Sequence, residues 1–272
     1  MTHETRKILV TGASGQIGSE LVVALRARHG KDNVVASDLR RCPSLEEGGP
    51  FVELDVLDKK AMAEAIERFG ADTVVHLAAI LSAVGEKNPE LAWNVNINGM
   101  VNVLDLARDM KLREVFVPSS IAAFGPGTPL DNTPNDTVLR PTTMYGVTKV
   151  AGELVCNYYA QKFGVDVRGV RYPGIISAET PPGGGTTDFA VAIFYEAVKT
   201  GKYTCFVKEE TRLPMMYMPD CIKATLDLMD APREKLVHHS DFNVGAMSFT
   251  AGELAAEIKK HLKGLPDRSG SV

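Results

Sequence analysis

The sequence predicts an α/β chain, a doubly wound parallel sheet followed by a smaller C-terminal region. Three observations predict it. Short apolar runs alternate with helical patterns through the first 172 residues, the rhythm of strand–helix–strand crossovers. The first run ends in a glycine-rich turn, Thr11-Gly12-Ala-Ser-Gly15-Gln-Ile-Gly18, which opens directly into a helix. Several runs are continuously apolar rather than alternating, as expected of strands covered on both faces.

In chain order, Lys7–Thr11 (KILVT) reads as the first buried strand. Gln16–Arg28 is a helix with Ile17, Leu21, Val22 and Leu25 on one face. Asn33–Ser37 is the second strand and Phe51–Leu54 a weaker third. Lys59–Phe69 is a helix and Thr73–Leu77 the fourth strand. Pro89 suits the first turn of a long helix reaching about Met110. Glu114–Ser119 is the fifth strand, Thr142–Phe163 a second long helix, and Val165–Tyr172 a further strand. Beyond it, Thr180–Thr187 (TPPGGGTT) is too rich in Gly and Pro for regular structure. Helical patterns follow at Asp188–Lys199 and Asp220–Met229, with a strand at Phe242–Val244. A last helix starts at Thr250 with a capping box to Glu253 and ends near His261. This divides the chain into a sheet domain over residues 1–175, rejoined near 236–246, and a region over 176–272 that takes substrate.

Composition narrows the function classes. The chain has 272 residues, 44% hydrophobic and 24% charged, enough to bury a core without staples. Thirty Lys and Arg against 34 Asp and Glu give a net charge of −4, which disfavours a nucleic-acid surface. Cys42, Cys156, Cys205 and Cys221 are widely spaced, and the six histidines show no ligand spacing. The expectation is no metal and a reducing, cytoplasmic compartment. No stretch approaches the ~18 apolar residues of a membrane span, and Met1–Lys7 reads as no leader.

The glycine turn carries chemistry. Gly12 permits the tight turn, Gly15 lets a pyrophosphate approach the backbone, and Gly18 lets the helix pack on the sheet. The helix N-terminus adds unpaired N–H groups for phosphate oxygens. A Rossmann-type dinucleotide site follows. Asp38 follows the second strand, 26 residues after Gly12. A carboxylate there accepts both ribose hydroxyls of NAD and repels the 2′-phosphate of NADP. Arg40 and Arg41 stand next to it and can soften that preference.

Tyr145 and Lys149 lie four apart on a helix, which stacks them on one face. An ammonium near a phenol favours the phenolate, which can take a proton from a substrate alcohol. Ser119-Ser120 ends the fifth strand, where a serine can hold the reacting oxygen.

With G-x-x-G-x-x-G, Y-x-x-x-K and a strand-end serine together, the chain resembles the extended short-chain dehydrogenase/reductases. The resemblance makes Ser120, Tyr145 and Lys149 the triad, Ser120 rather than Ser119 because it lies four residues before Phe124-Gly125. Ser119 stands as a second contact. The resemblance further implies NAD contacts from Gln16, Ile17, Leu39, Asp55, Val56, Leu77, Ala78, Ala79, Asn96, Tyr172, Pro173 and Ile175. His76-Leu-Ala-Ala79, Asn96-Ile-Asn-Gly99, Arg171-Tyr-Pro-Gly174 and Tyr217-Met-Pro-Asp220 match superfamily segments. The His76 side chain itself reads as a core histidine.

More particular stretches, Leu81–Gly85, Pro118–Pro126, RYPGIISAETPPGGGTTD from Arg171 and TRLPMMYMPD from Thr211, resemble the epimerase-related, NAD-dependent L-threonine 3-dehydrogenases. That family implies oxidation of the threonine C3 hydroxyl to 2-amino-3-oxobutyrate, a place in threonine catabolism, and a homodimer packed through the helices near 88–110 and 142–163. It implies substrate contacts from Ser82, Ser119, Ser120, Tyr145, Gly174 and Thr186. Arg212 serves a phosphate or caps the fold. Family members continue past the helix near His261, whereas this chain stops at Val272, and its single tryptophan is Trp93. Two alternatives share these motifs: a sugar-nucleotide epimerase or dehydratase, and a non-enzymatic NAD-binding regulator.

Overall fold

A computed structural model describes residues 4–179, 183, 185 and 187–262. The first half runs β1 (Ile8–Thr11), α1 (Gln16–His29), β2 (Val34–Asp38), α2 (Pro43–Glu47), β3 (Phe51–Glu53), α3 (Lys59–Phe69) and β4 (Thr73–His76). It continues with α4 (Ser82–Lys87), α5 (Pro89–Trp93), α6 (Met100–Asp109), β5 (Glu114–Phe116), β6 (Ser119–Ser120), α7 (Met144–Phe163), β7 (Val167–Arg168) and β8 (Val170–Tyr172). The remainder is β9 (Gly174–Ile176), α8 (Phe189–Thr200), β10 (Arg212–Tyr217), α9 (Met218–Asp230), β11 (Phe242–Asn243), β12 (Met247–Thr250) and α10 (Ala251–His261).

Six strands form the predicted parallel sheet in the order β3-β2-β1-β4-β5-β7. The order reverses at β1, which pairs Ile8 with Val34 on one side and with Thr73 on the other. A crevice therefore opens at the carboxyl ends of β1 and β4. Successive β1 residues point to opposite faces. Ile8 and Val10 join Leu21, Val22 and Leu25 of α1 and Cys221 and Met229 of α9. Leu9 joins Met62 and Ile66 of α3, Met100 and Leu104 of α6, and Cys156 of α7. Both faces are thus covered, which is why these strands read as continuous apolar runs. Residues 176–262 add two small satellite clusters, around Phe189, Met215 and Ala251 and around Ile193, Ala197 and Ile258.

Three predicted elements are divided in the structure. The helix expected over Pro89–Met110 becomes α5, a wide turn of π-helix at Asn94–Gly99, and α6. There Asn96 is drawn inward to the backbone of Ile80, and Gly99 lies so close to Val56 that a Cβ would sit 2.8 Å from its Cγ2. The strand expected over Glu114–Ser119 breaks at Pro118, which has no N–H for the ladder. Ser119-Ser120 then pairs with Arg171-Tyr172 in a separate three-stranded sheet, β11-β8-β6. The strand expected over Val165–Tyr172 breaks at Gly169, where the Val117 carbonyl oxygen would lie 2.0 Å from a Cβ. α2, α4, β9, β10 and β12 go beyond the sequence reading; β12 is antiparallel to β10. The capping box of Thr250 and Glu253 is present at α10.

Candidate active site

The glycine turn behaves as its spacing requires. Gly12 has φ +69°, and a Cβ on it would lie 2.5 Å from the Ala78 nitrogen. A Cβ on Gly18 would lie 2.5 Å from the Gly12 carbonyl oxygen. Gly15 stands at the N-cap of α1, which has no side-chain cap and no acidic residue in its first turn. Its first N–H groups therefore face outward for an anion. The Asp38 carboxylate is fixed beside the turn, accepting from the Ser14 amide at 3.0 Å and the Leu39 amide at 2.8 Å. These features suit a dinucleotide: a cradle where side chains would collide, a helix start without its own anion, and a carboxylate oriented beside the turn.

A cleft of about 450 Å³ runs from this turn along the sheet's carboxyl edge. It brings together Gly12, Gly15, Gln16, Ile17, Gly18, Leu77, Ala79, Ser82, Ser119, Ser120, Tyr145, Lys149 and Tyr172–Ile175. Gln16 Nε2 donates to the Ile175 carbonyl at 3.5 Å, tying the glycine turn to the opposite wall. Ala78 and Asn96 line instead a small cavity of about 30 Å³ behind Lys149. Asn96 gives its amide to Ile80 and to Thr148 Oγ1 at 3.0 Å, so it shapes the wall rather than offering its own side chain. Asp38, Leu39, Asp55 and Val56 lie off the lining, at the ends of β2 and β3. The Asp55 loop is held there by Asn102, whose amide donates to the Val56 carbonyl at 3.0 Å. Thr186 lies outside the described residues; its neighbour Thr187 lines the cleft.

α7 carries both Tyr145 and Lys149 to the cleft. Thr143 caps this helix through the Gly146 amide at 3.1 Å, and Glu86 of α4 accepts from the Met144 amide at 2.6 Å. Lys149 Nζ lies 5.4 Å from the Tyr145 ring centre and donates to the Pro118 carbonyl at 2.9 Å. The same break that ends the strand at Pro118 thus supplies the oxygen that aims the lysine. Ser120 Oγ accepts from the Ala122 amide at 3.2 Å and keeps its own proton free to donate into the cleft.

Ser119 is turned the other way. It is buried, and its hydroxyl donates to Glu153, which also takes a bidentate pair from Arg171 at 2.8 and 2.7 Å. Arg171 donates further to the Asn135 carbonyl and Asn243 Oδ1, and its guanidinium faces the Phe124 ring at 5.4 Å. Sequence reasoning passed over this group. Its one visible signal was spacing, since Glu153 continues the i, i+4 series from Tyr145 and Lys149. The His76 ring is buried, with Nδ1 2.8 Å from Thr11 Oγ1. Burial, with Lys149 nearby, pulls the imidazole down to about 3, so the ring is neutral. The Tyr172 hydroxyl bonds Thr225 within the core, leaving its ring and backbone to the cleft. Arg212 pairs with Glu253 and the Ser248 carbonyl at the surface, and so serves the fold.

Residues 8–245 match the NAD dependent epimerase/dehydratase family. The chain belongs to that family. An uncharacterized epimerase/dehydratase of Staphylococcus haemolyticus is 52% identical over 260 residues, which are 95% of this chain and 81% of that protein. Among solved structures, a partial-consensus L-threonine 3-dehydrogenase superposes with a TM-score of 0.93 at 52% identity, over 95% of this chain and 83% of that one. A monomeric L-threonine 3-dehydrogenase from a metagenome gives 0.91 at 50% identity, over 94% and 82%. The family's NAD dependence agrees with the glycine turn and Asp38.

Proposed function

We propose that this chain is an NAD-dependent L-threonine 3-dehydrogenase, an oxidoreductase that oxidises the C3 hydroxyl to give 2-amino-3-oxobutyrate and NADH. One observation carries the reading: Ser120, Tyr145 and Lys149 share the wall of a cleft continuous with the glycine turn, in a chain half identical to enzymes of that name.

Gly12–Gly18 and the N-terminus of α1 would hold the pyrophosphate of the dinucleotide. Asp38 would accept from the adenosine ribose hydroxyls, and Leu39, Asp55 and Val56 would border the adenine. NAD, when bound, supplies the acceptor for the hydride that leaves C3. Tyr145 removes the C3 hydroxyl proton as a general base. Lys149, aimed by Pro118, supplies the positive charge that favours the phenolate. Ser120 donates to the same substrate oxygen while it becomes a carbonyl. Ser82, Gly174 and Thr186 take the amino-acid end. Ser119, engaged with Glu153, supports the wall from behind.

The test is absorbance at the NADH band with NAD and L-threonine, L-allo-threonine, L-serine or UDP-glucose. The reading requires threonine-dependent NADH and a loss of about 10²–10⁴-fold in kcat for Tyr145→Phe. NAD binding without turnover of any amino acid overturns it.

The same reading makes the chain a cytoplasmic enzyme of threonine catabolism and a homodimer packed through α5–α6 and α7. Support for the dimer is the apolar surface those helices expose, Leu91, Trp93, Leu154 and Tyr158. Sedimentation of the free chain tests it, and a monomer overturns it. The division into a sheet domain to residue 175, returning near 236–246, and a substrate region beyond is supported by the pairing of β11 with β8 and by the two satellite clusters.

A further inference from the structure

The end of β2 carries two arginines beside the cofactor carboxylate, and a guanidinium in that place is what holds the 2′-phosphate of NADP. The structure shows what becomes of one of them. Arg41 is held by Glu46 in a two-pronged pair, Nε to Oε1 at 3.0 Å and Nη2 to Oε2 at 2.5 Å. Glu53, whose Cα is the cross-strand partner of Asp38, lies 3.9 Å from the same Nε. The guanidinium is therefore on the Asp38 side of the sheet edge and already neutralised. The pairing raises Arg41 above its ordinary value and holds the Glu46 carboxyl below its own.

An exposed ion pair by itself counts for little. This one is carried on a built support. α2 starts at Pro43, buries Leu45, and is pinned by Arg26, whose guanidinium donates to the Leu45 and Pro50 carbonyls, each at 2.7 Å. Glu46 is thus presented to Arg41 by an anchored turn, and the pair occupies the Nε–Nη2 edge of the guanidinium, so a phosphate would have to compete with a carboxylate for it.

We propose that Glu46 is a specificity-determining residue for the cofactor, withholding Arg41 from the 2′ position. Discrimination between NAD and NADP then rests in part on two carboxylates: Asp38 repels the phosphate, and Glu46 sequesters Arg41, one of the two cations that could receive it. The inference rests on the NAD reading of the cleft.

The experiment is calorimetric titration of the whole chain with NAD and with NADP, for wild type, Asp38→Asn, Asp38→Asn/Glu46→Gln and the triple variant that adds Arg41→Met. Circular dichroism melting checks each fold. Relative to Asp38→Asn, adding Glu46→Gln is expected to tighten NADP about 3- to 10-fold against NAD, and Arg41→Met to cancel that gain. Equal NADP affinity with and without Glu46→Gln overturns the proposal, as does a gain that survives Arg41→Met. If wild type binds neither dinucleotide, the NAD reading itself fails and the inference goes with it. If wild type binds NAD and the Glu46→Gln step is silent, only the inference fails.

Discussion

Two of the arginine–glutamate pairs lie in different surroundings and meet differently: Arg171 engages Glu153 through both Nε and Nη2, whereas Arg212 offers Nη2 alone to the two Glu253 oxygens. Arg171–Glu153 lies behind the catalytic wall with side chains 2% and 4% exposed. Arg212–Glu253 lies on the C-terminal region with side chains 51% and 55% exposed. The first pair holds Ser119 and Phe124, which line the cleft with Ser120, and the backbone at Asn135. The second joins β10 to the start of α10 across the surface. The difference teaches where this molecule invests rigidity. The sheet domain backs its catalytic wall with a desolvated, doubly hydrogen-bonded ion pair. The C-terminal region rests on two small apolar clusters, with Phe194, Val198 and Phe206 exposed nearby.

The sharpest way to break the comparison is Glu153→Ala. It leaves Arg171 buried with only Asp241, at 4.0 Å, as counter-charge, and removing one partner of a buried pair costs about 3–5 kcal/mol. A urea midpoint near that of wild type would show the buried pair to be no more consequential than the exposed one.

Acid sharpens it next. His76 has an ordinary value of 6.5 and is pulled to about 3 by burial. Below pH 6.5 the unfolded chain takes up a proton there that the folded chain refuses. Stability is therefore complete above 6.5 and is lost progressively as pH falls toward 3, by roughly 2 kcal/mol at pH 5. Glu114 acts with the opposite sign. Burial pushes it up to about 7 despite Arg6 and Arg168, so it loses stability as pH rises from 4.5 to 7. Comparing wild type with His76→Gln at pH 7 and pH 5 removes the Glu114 contribution. The expected result is a smaller loss between the two pH values in the variant; equal losses would place the titration elsewhere.

The smallest effect belongs to Arg212→Ala. Its partner is solvated, and the expected outcome is a urea midpoint indistinguishable from wild type. A clear drop would mean that the C-terminal region relies on surface charge more than its clusters indicate.

Much of this architecture was legible because it is local. The i, i+4 spacing of Tyr145 and Lys149, the strand–glycine–helix order at Gly12–Gly18 and the Thr250–Glu253 capping box all lie within one or two turns of chain. Their geometry follows from helix pitch and backbone sterics alone. Both faces of the parallel sheet were legible for a related reason, since a strand buried twice is mostly apolar, and its few buried polar residues, such as Thr11, His76 and Glu114, stand at strand ends.

What only the tertiary structure decided lies between residues far apart in the chain. Which serine faces the cleft depends on Glu153, 34 residues away, and on the strand break at Pro118, which sends Ser119-Ser120 to a different sheet. The aim of Lys149 depends on the Pro118 carbonyl, 31 residues away. The π-turn at Asn94–Gly99 arises from contacts with Ile80, Thr148 and Val56, none of them on its own helix. Arg41 beside Asp38 reads equally well as a phosphate ligand or as a spent charge until α2 is seen to deliver Glu46. In each case the residue type sets what a group can do, and the fold, by choosing its partner and removing water, sets which of those things it does.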